Sequence, residues 1–199
     1  MDIVAVILAA GASTRMGRPK MLLPFGDSTV IETVVQNVTA SRASHTVVVL
    51  GYEWTRIYGL LEHLPVEVIV NPRPEIGMVS SAQWALAQMN QSTDGVLFVL
   101  GDQPLIPTWV HDSVIDAFGY HPEAIIVPTH QGKRGHPVLF STRFRDEILN
   151  LPPDRGLNTL LHQHSEAVHE VPVDTDTILL QMNTPEEYQQ LLERAKQMG

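Results

Sequence analysis

Arg15 and Lys20 stand close together in LAAGASTRMGRPK (Leu8–Lys20), a stretch that begins with small residues and ends with basic ones. Such a stretch could bind a phosphate chain. Small side chains from Ala9 to Ser13 let backbone N–H groups approach an anion, and Gly11 can take a positive φ. Arg15 and Lys20 would then supply fixed positive charge. The spacing is not that of a Walker A loop, because five residues separate Gly11 from Gly17 and no Lys-Ser/Thr pair follows. The GxGxxG dinucleotide fingerprint is absent as well. The same residues also suit a tight strand-to-helix turn with solvated basic side chains.

Asp102 lies in Gly101-Asp102-Gln103-Pro104, just past an apolar run. A carboxylate there could bind a hard cation such as Mg²⁺, which takes one or two protein carboxylates and fills its shell with phosphate oxygens. It could equally be a turn or helix cap ahead of Pro107. Asn71 and Ser80-Ser81 flank a predicted helix start, where hydroxyls and N–H groups either cap the helix or hold a ligand. Ser80 is not in a GxSxG elbow, which argues against a serine hydrolase. Gly135-His136 belongs to a basic turn, and His136 could position a substrate or touch a metal, or equally serve no chemistry. His162, His164 and His169 are read as surface residues, since i and i+2 positions on a helix do not share a face.

These residues need elements to place them. Continuous apolar runs at Ile3–Ala9, Thr46–Leu50, Val66–Val70, Val96–Leu100 and Ala124–Val127 read as buried strands. Helical patterns lie between them, at Ser28–Ala40, Trp54–His63, Met78–Met89 and Pro107–Phe118. That alternation predicts right-handed crossovers and a mostly parallel sheet in a three-layer α/β domain spanning 1–199. Beyond Pro128 the expected pieces are shorter: a strand at Pro137–Phe140, helices near Arg143–Asn150 and Gly156–His164, and strands at Val168–Val171 and Thr177–Leu180. Thr184-Pro185-Glu186-Glu187 predicts a capping box opening a last helix. Ligands of open parallel sheets gather beyond the strands' carboxyl ends, so the loops carrying Arg15, Ser81 and Asp102 are expected on one edge.

Composition narrows the partners. The 199 residues carry a formal net charge of -9, which opposes nonspecific nucleic-acid binding and makes a local basic cluster more informative. With 44% hydrophobic and 18% charged residues the chain reads as soluble and globular, with no apolar run long enough for a membrane span. The N-terminus lacks the features of a signal peptide, and the absence of cysteine rules out disulfides and fits a reducing compartment; the expected location is cytoplasmic.

With LAAGASTRMGRPKMLLPFGD, NPRPEIGMVSS, GDQP, GHPVLF and NTPEEY in place, the chain resembles the MobA-like nucleotidyltransferases, and among them the molybdenum cofactor cytidylyltransferases. The resemblance runs over essentially the whole chain. It implies a Rossmann-like α/β/α fold and transfer of a nucleoside monophosphate from an NTP to a phosphate-bearing acceptor. Leu8, Ala9, Ala10, Gly11, Asn71, Ser81 and Gly101 would then surround the nucleotide, with Arg15 and Lys20 on its triphosphate. Arg15, Lys20 and Asp102 would form the catalytic set. Asp102, with Asn183, would hold Mg²⁺, and Gly135 and His136 would face the acceptor. Relatives that use CTP commonly read LAAG where guanylyltransferases read LAGG, so Ala10 favours CTP. The pattern departs from the family at Gln181 and Asn183, where acids are common, and at Asn158, where an arginine is common. Molybdopterin is the acceptor implied, with a molybdoenzyme receiving the product. Two alternatives keep the fold: another acceptor (a sugar or polyol phosphate, or use of GTP), and a non-catalytic protein that binds and delivers the cofactor.

Overall fold

A computed structural model describes residues 1–90 and 92–198. The strands are β1 (Ile3–Ala9), β2 (Pro24–Phe25), β3 (Ser28–Thr29), β4 (His45–Leu50), β5 (Glu67–Val70), β6 (Gly95–Leu100), β7 (Ile125–His130), β8 (Lys133–Arg134), β9 (Val138–Ser141) and β10 (Val168–Pro172). The helices are α1 (Val30–Thr39), α2 (Trp54–Leu61), α3 (Met78–Gln88), α4 (Thr108–Tyr120), α5 (Arg145–Leu149), α6 (Asn158–Gln163) and α7 (Pro185–Met198). Eight strands form one sheet in the order β10-β7-β9-β6-β1-β4-β5, with β8 hydrogen-bonded to β7. β1 pairs in parallel with β4 and β6, β4 with β5, and β7 with β10; β9 runs antiparallel between β6 and β7. The expected Rossmann-like, mostly parallel three-layer fold is what the chain forms.

The strand residues explain the layers. All seven residues of β1 are buried, as a central strand covered on both faces requires. Ile3, Ala5, Ile7 and Ala9 join α1, α2 and α4 on one face, while Val4, Val6 and Leu8 join α3, α5 and α6 on the other. β1 lies where the strand order reverses, since the chain passes to β4 on one side and β6 sits on the other. A loop that follows β1 therefore opens at the topological switch point.

Local chemistry sets the ends of the helices. Thr29 Oγ1 accepts from the Glu32 N–H, and Glu32 returns a carboxylate oxygen to the Thr29 N–H at 3.0 Å, a capping box worth about 1 kcal/mol. The box predicted at Thr184 forms in the same way: Glu187 accepts from the Thr184 N–H at 3.2 Å, and Thr184 Oγ1 accepts from Glu187 at 3.3 Å. α7 then buries Tyr188 and Leu191 against Met16, Leu23 and Phe25, and the Tyr188 hydroxyl donates to the Pro24 carbonyl at 2.6 Å. The last helix is thus a brace for the basic loop.

Two expectations are corrected. Ser28–Thr29 pairs with β2 as a small hairpin, and α1 starts only at Val30. Thr177–Leu180 does not form a strand; Asp176–Leu179 is a 3-10 turn. Thr175 Oγ1 accepts from the Thr177 N–H at 3.3 Å, and the Leu180 N–H bonds the Thr177 carbonyl at 3.3 Å, so local bonds replace a ladder. The sides of β7 are already taken by β9 and β10. No helix among the described residues is long and apolar enough to cross a membrane.

Candidate active site

The loops after β1, β5 and β6 meet on one edge of the sheet, together with the segment that precedes α7. They enclose a cleft of about 380 Å³ lined by Leu8, Ala10, Gly11, Arg15, Lys20, Ser81, Asp102, Gln181 and Asn183 among others. Residues far apart in sequence, from Leu8 to Asn183, thus converge on one space. Positive φ falls on Ser13 and Gly17 rather than on Gly11, so the turn is made on either side of Arg15. Ser13 also accepts the Lys20 N–H at 3.1 Å, which ties the small half of the loop to its basic end.

Lys20 and Asp102 form a partly buried ion pair across the cleft floor, and Lys20 Nζ also reaches the Met182 carbonyl at 3.4 Å. Their side chains are only 13% and 15% exposed, so each depends on the other for charge compensation. Arg15 is exposed at the rim. Among the described residues no group of three or more His, Cys, Asp or Glu side chains is placed to hold a metal. What the cleft offers is one carboxylate, Asp102, beside the amides of Gln181 and Asn183. Those are hard oxygen donors, and the set fits a divalent cation that shares its shell with phosphate oxygens rather than one held by protein alone. Asn183 is itself anchored, donating its amide to Gln181 Oε1 at 2.9 Å and its N–H to Glu187 at 2.6 Å.

Three expected nucleotide residues lie behind the lining instead of in it. Ala9 is buried in the opposite face of the sheet. Asn71 is 3% exposed, and its amide donates to Ser80 Oγ at 2.9 Å and Ser81 Oγ at 3.0 Å. Ser80 is spent inside the protein, its hydroxyl donating to the Gly77 carbonyl at 2.8 Å, whereas Ser81 lines the cleft. Gly101 packs so closely that a Cβ would lie 3.0 Å from Ala9 Cβ and 3.1 Å from the Leu8 carbonyl.

Gly135 and His136 belong to a second, adjoining cleft of about 470 Å³. Leu8, Met78, Leu100 and Gln181 line both clefts, so the two lie side by side. Only glycine fits at 135, because a Cβ would come within 2.4 Å of the Ile178 carbonyl. That carbonyl accepts the His136 N–H at 3.2 Å. Burial pushes the His136 imidazole below its ordinary pKa, partly offset by the Asp102 carboxylate, so the ring is neutral near pH 7. Of the three histidines read as surface residues, His162 is exposed, His164 pairs with Glu147 at 2.7 Å, and His169 stacks on His121 with centroids 3.9 Å apart.

Sequence reasoning missed Met21, Pro74, Gly77, Met78 and Leu100 in the first cleft, and Gln103, Leu157 and Leu161 in the second. Met21, Pro74, Gly77, Met78 and Gln103 sat inside recognised motifs. The leucines carried no signal, because which face of an apolar run lines a cleft depends on packing.

A Rossmann-like sheet with a small-residue, basic loop at its switch point and a carboxylate on the next strand end defines a nucleotidyltransferase. The chain belongs to the MobA-like NTP transferase domain family, which matches residues 5–168. It is similar to the molybdenum cofactor cytidylyltransferase of Escherichia coli (strain K12), with 26% identity over 92% of both chains. It is also 25% identical over 176 residues to the bifunctional protein GlmU of Trichormus variabilis, of which it spans 35%. Among solved structures it superposes on Rv0371c from Mycobacterium tuberculosis H37Rv with a TM-score of 0.87 at 31% identity, covering 97% of this chain and 98% of that one. A structure of Rv0371c in complex with manganese superposes with a TM-score of 0.83 at 29% identity, covering 97% and 99% of the two chains.

Proposed function

We propose that the protein transfers CMP from CTP to the phosphate of molybdopterin, with release of pyrophosphate. The observation that carries this is the adjacency of the two clefts: a basic, carboxylate-bearing space suited to a triphosphate lies beside a largely apolar one. The similarity to a molybdenum cofactor cytidylyltransferase supports the choice of acceptor.

An oxygen of the acceptor phosphate attacks the α-phosphorus of CTP. A new P–O bond forms, the bond to the β-phosphate breaks, and pyrophosphate leaves with the electron pair. No protein nucleophile is required, and positioning and charge neutralisation do the catalysis. Arg15 and Lys20 bind the triphosphate, and Lys20 neutralises charge that develops as the α–β bond breaks. Ser81, held by Asn71, and the Leu8–Gly11 backbone orient the nucleoside. Ala10 lines the cleft, and its methyl group would favour the smaller pyrimidine. Asp102 and Asn183 would hold Mg²⁺, which when bound supplies Lewis-acid neutralisation of the phosphate oxygens. Gly135 and His136 border the acceptor. The reaction would run in the cytoplasm and its product pass to a molybdoenzyme.

Incubation with Mg²⁺, each of the four NTPs, and molybdopterin with or without molybdenum tests this by pyrophosphate release. Release with CTP that requires the pterin is expected. Turnover only with another phosphorylated acceptor would replace the acceptor and keep the chemistry. The amides at Gln181 and Asn183 favour one further alternative, a protein that binds the cofactor without turnover; pterin binding with no pyrophosphate from any NTP would establish it.

A further inference from the structure

Two residues that line the second cleft each carry a buried polar atom with nothing to bond. Gln103 is 4% exposed, and its Nε2 donates to the Leu180 carbonyl at 2.7 Å. That bond fixes which way the amide points, since the nitrogen must face Leu180. Gln103 Oε1 is left buried with no partner, and so is His136 Nδ1. Both residues line the same cavity. Among the described residues only one other buried side-chain atom, His111 Nε2, is unpartnered, and His111 lies on α4 outside this cleft. Two of three such atoms therefore fall in one cleft. A buried polar atom without a partner costs stability, and such atoms mark places completed by a ligand.

The rest of the lining states what kind of ligand. Leu8, Phe98, Leu100, Val138, Phe140 and Leu161 make walls without hydrogen-bonding side chains. Arg134 is the one charged residue of the lining, and it is paired with Glu170 at 2.7 Å. The buried polar contacts are a neutral amide oxygen and an imidazole kept neutral by burial, while the amides of Asn158 and Gln181 are exposed at the edge of the cleft. A sugar, with a hydroxyl on nearly every carbon, would leave most of its polar groups unbonded against such walls. A nitrogen heteroaromatic ring, apolar on its faces and polar along one edge, matches them.

We propose that Gln103 and His136 are specificity-determining residues that read the N–H edge of a heteroaromatic acceptor, Gln103 Oε1 accepting from a ring or amino N–H and His136 Nδ1 bonding a second polar atom. This rests on the second cleft being the acceptor site, and it assigns Gln103 a role beyond the motif that contains it. The amide's donor end is fixed at Leu180, so its free end selects donors and rejects rings that lack them.

The test uses phosphate-free rings, which cannot turn over and so report recognition apart from transfer. Binding of 6-hydroxymethylpterin and of its N–H-free counterpart, 6-hydroxymethyl-1,3-dimethyllumazine, is measured by titration calorimetry on the wild type, Gln103→Met and His136→Phe, with CTP binding measured alongside. The expected result is wild-type preference for the pterin by tenfold or more, a preference that shrinks to less than threefold in Gln103→Met while CTP affinity stays within twofold. His136→Phe should weaken the pterin without restoring the lumazine. Should Gln103→Met not fold, the wild-type pair and His136→Phe carry the comparison. Equal binding of the two rings by the wild type, no binding of either, or a preference unchanged in the variants overturns the proposal. Pterin recognition that depends on Gln103 without pyrophosphate release would uphold this inference and reject the transfer reaction; CTP-dependent transfer with indifferent ring binding would do the reverse.

Discussion

The Lys20–Asp102 pair makes a demand on any ligand that enters the first cleft. In the free protein each group neutralises the other, so a triphosphate must draw Lys20 away while a cation takes over Asp102. Asp102→Ala is therefore expected to abolish pyrophosphate release while the circular dichroism spectrum stays that of the folded protein; wild-type rates in that variant would remove Asp102 from the catalytic set. Lys20→Ala removes one charge-stabilising group, which by analogy with other preorganised donors lowers kcat by about 10²–10³. Ala10→Gly deletes one methyl from the lining. A single methyl is worth about 1–3 kcal/mol in discrimination, so the CTP-to-GTP ratio of kcat/KM should fall by at least about tenfold. At this scale the motifs were legible because their residue types carry the chemistry. Gln103 and Asn71 were not, since whether an amide faces a cleft or props up its wall is decided by burial alone.

Elements hold those residues at their stations. α7 braces the basic loop through Tyr188 and Leu191, although it reaches the cleft only through the segment before it. Tyr188→Phe loses the bond to the Pro24 carbonyl and should cost about 1 kcal/mol, a fall in melting temperature of about 2–4 °C for a chain of this size. It should also raise KM for CTP, since the lost bond ties α7 to Pro24, just after the loop that carries Arg15 and Lys20. α4 carries a different constraint. Burial lowers the pKa of His111 to about 4, opposed in part by a bond to the Pro107 carbonyl and by Asp112. The unfolded chain protonates this histidine near pH 6.5 and the folded one only near 4, so stability is lost as pH falls through that window, by about 3 kcal/mol at most. His136 and His169 shift in the same direction, so the decisive comparison is His111→Gln, whose unfolding free energy should decline less steeply between pH 6.5 and 4. The strands of the parallel sheet were readable from their apolar runs. The stretch at Thr177–Leu180 has the same composition as a strand, and only the lack of an open partner on β7 makes it a turn.

At the scale of the whole molecule, two unlike spaces lie side by side on one sheet edge. One is lined by Arg15, Lys20 and Asp102, the other by Phe98, Val138 and Phe140, and Leu8 and Leu100 at the strand ends are common walls. The order of the strands makes this possible: β1 and β6 are neighbours, so the small-residue loop and the Asp102 turn open together, and β9 beside β6 brings the His136 turn to the next position. That adjacency was only partly legible. The alternation of strands and helices implied one edge for the first three loops, but the antiparallel insertion of β9 is a long-range pairing with no local signature. The central claim is that a bond forms across the boundary between the two spaces. Mass spectrometry of the pterin after reaction with CTP and Mg²⁺, with pyrophosphate counted in the same sample, tests it most directly. The account predicts one added CMP per pterin, in equal amount to the pyrophosphate released. Pyrophosphate without the added mass, or bound pterin recovered unchanged in the presence of every NTP, would contradict it.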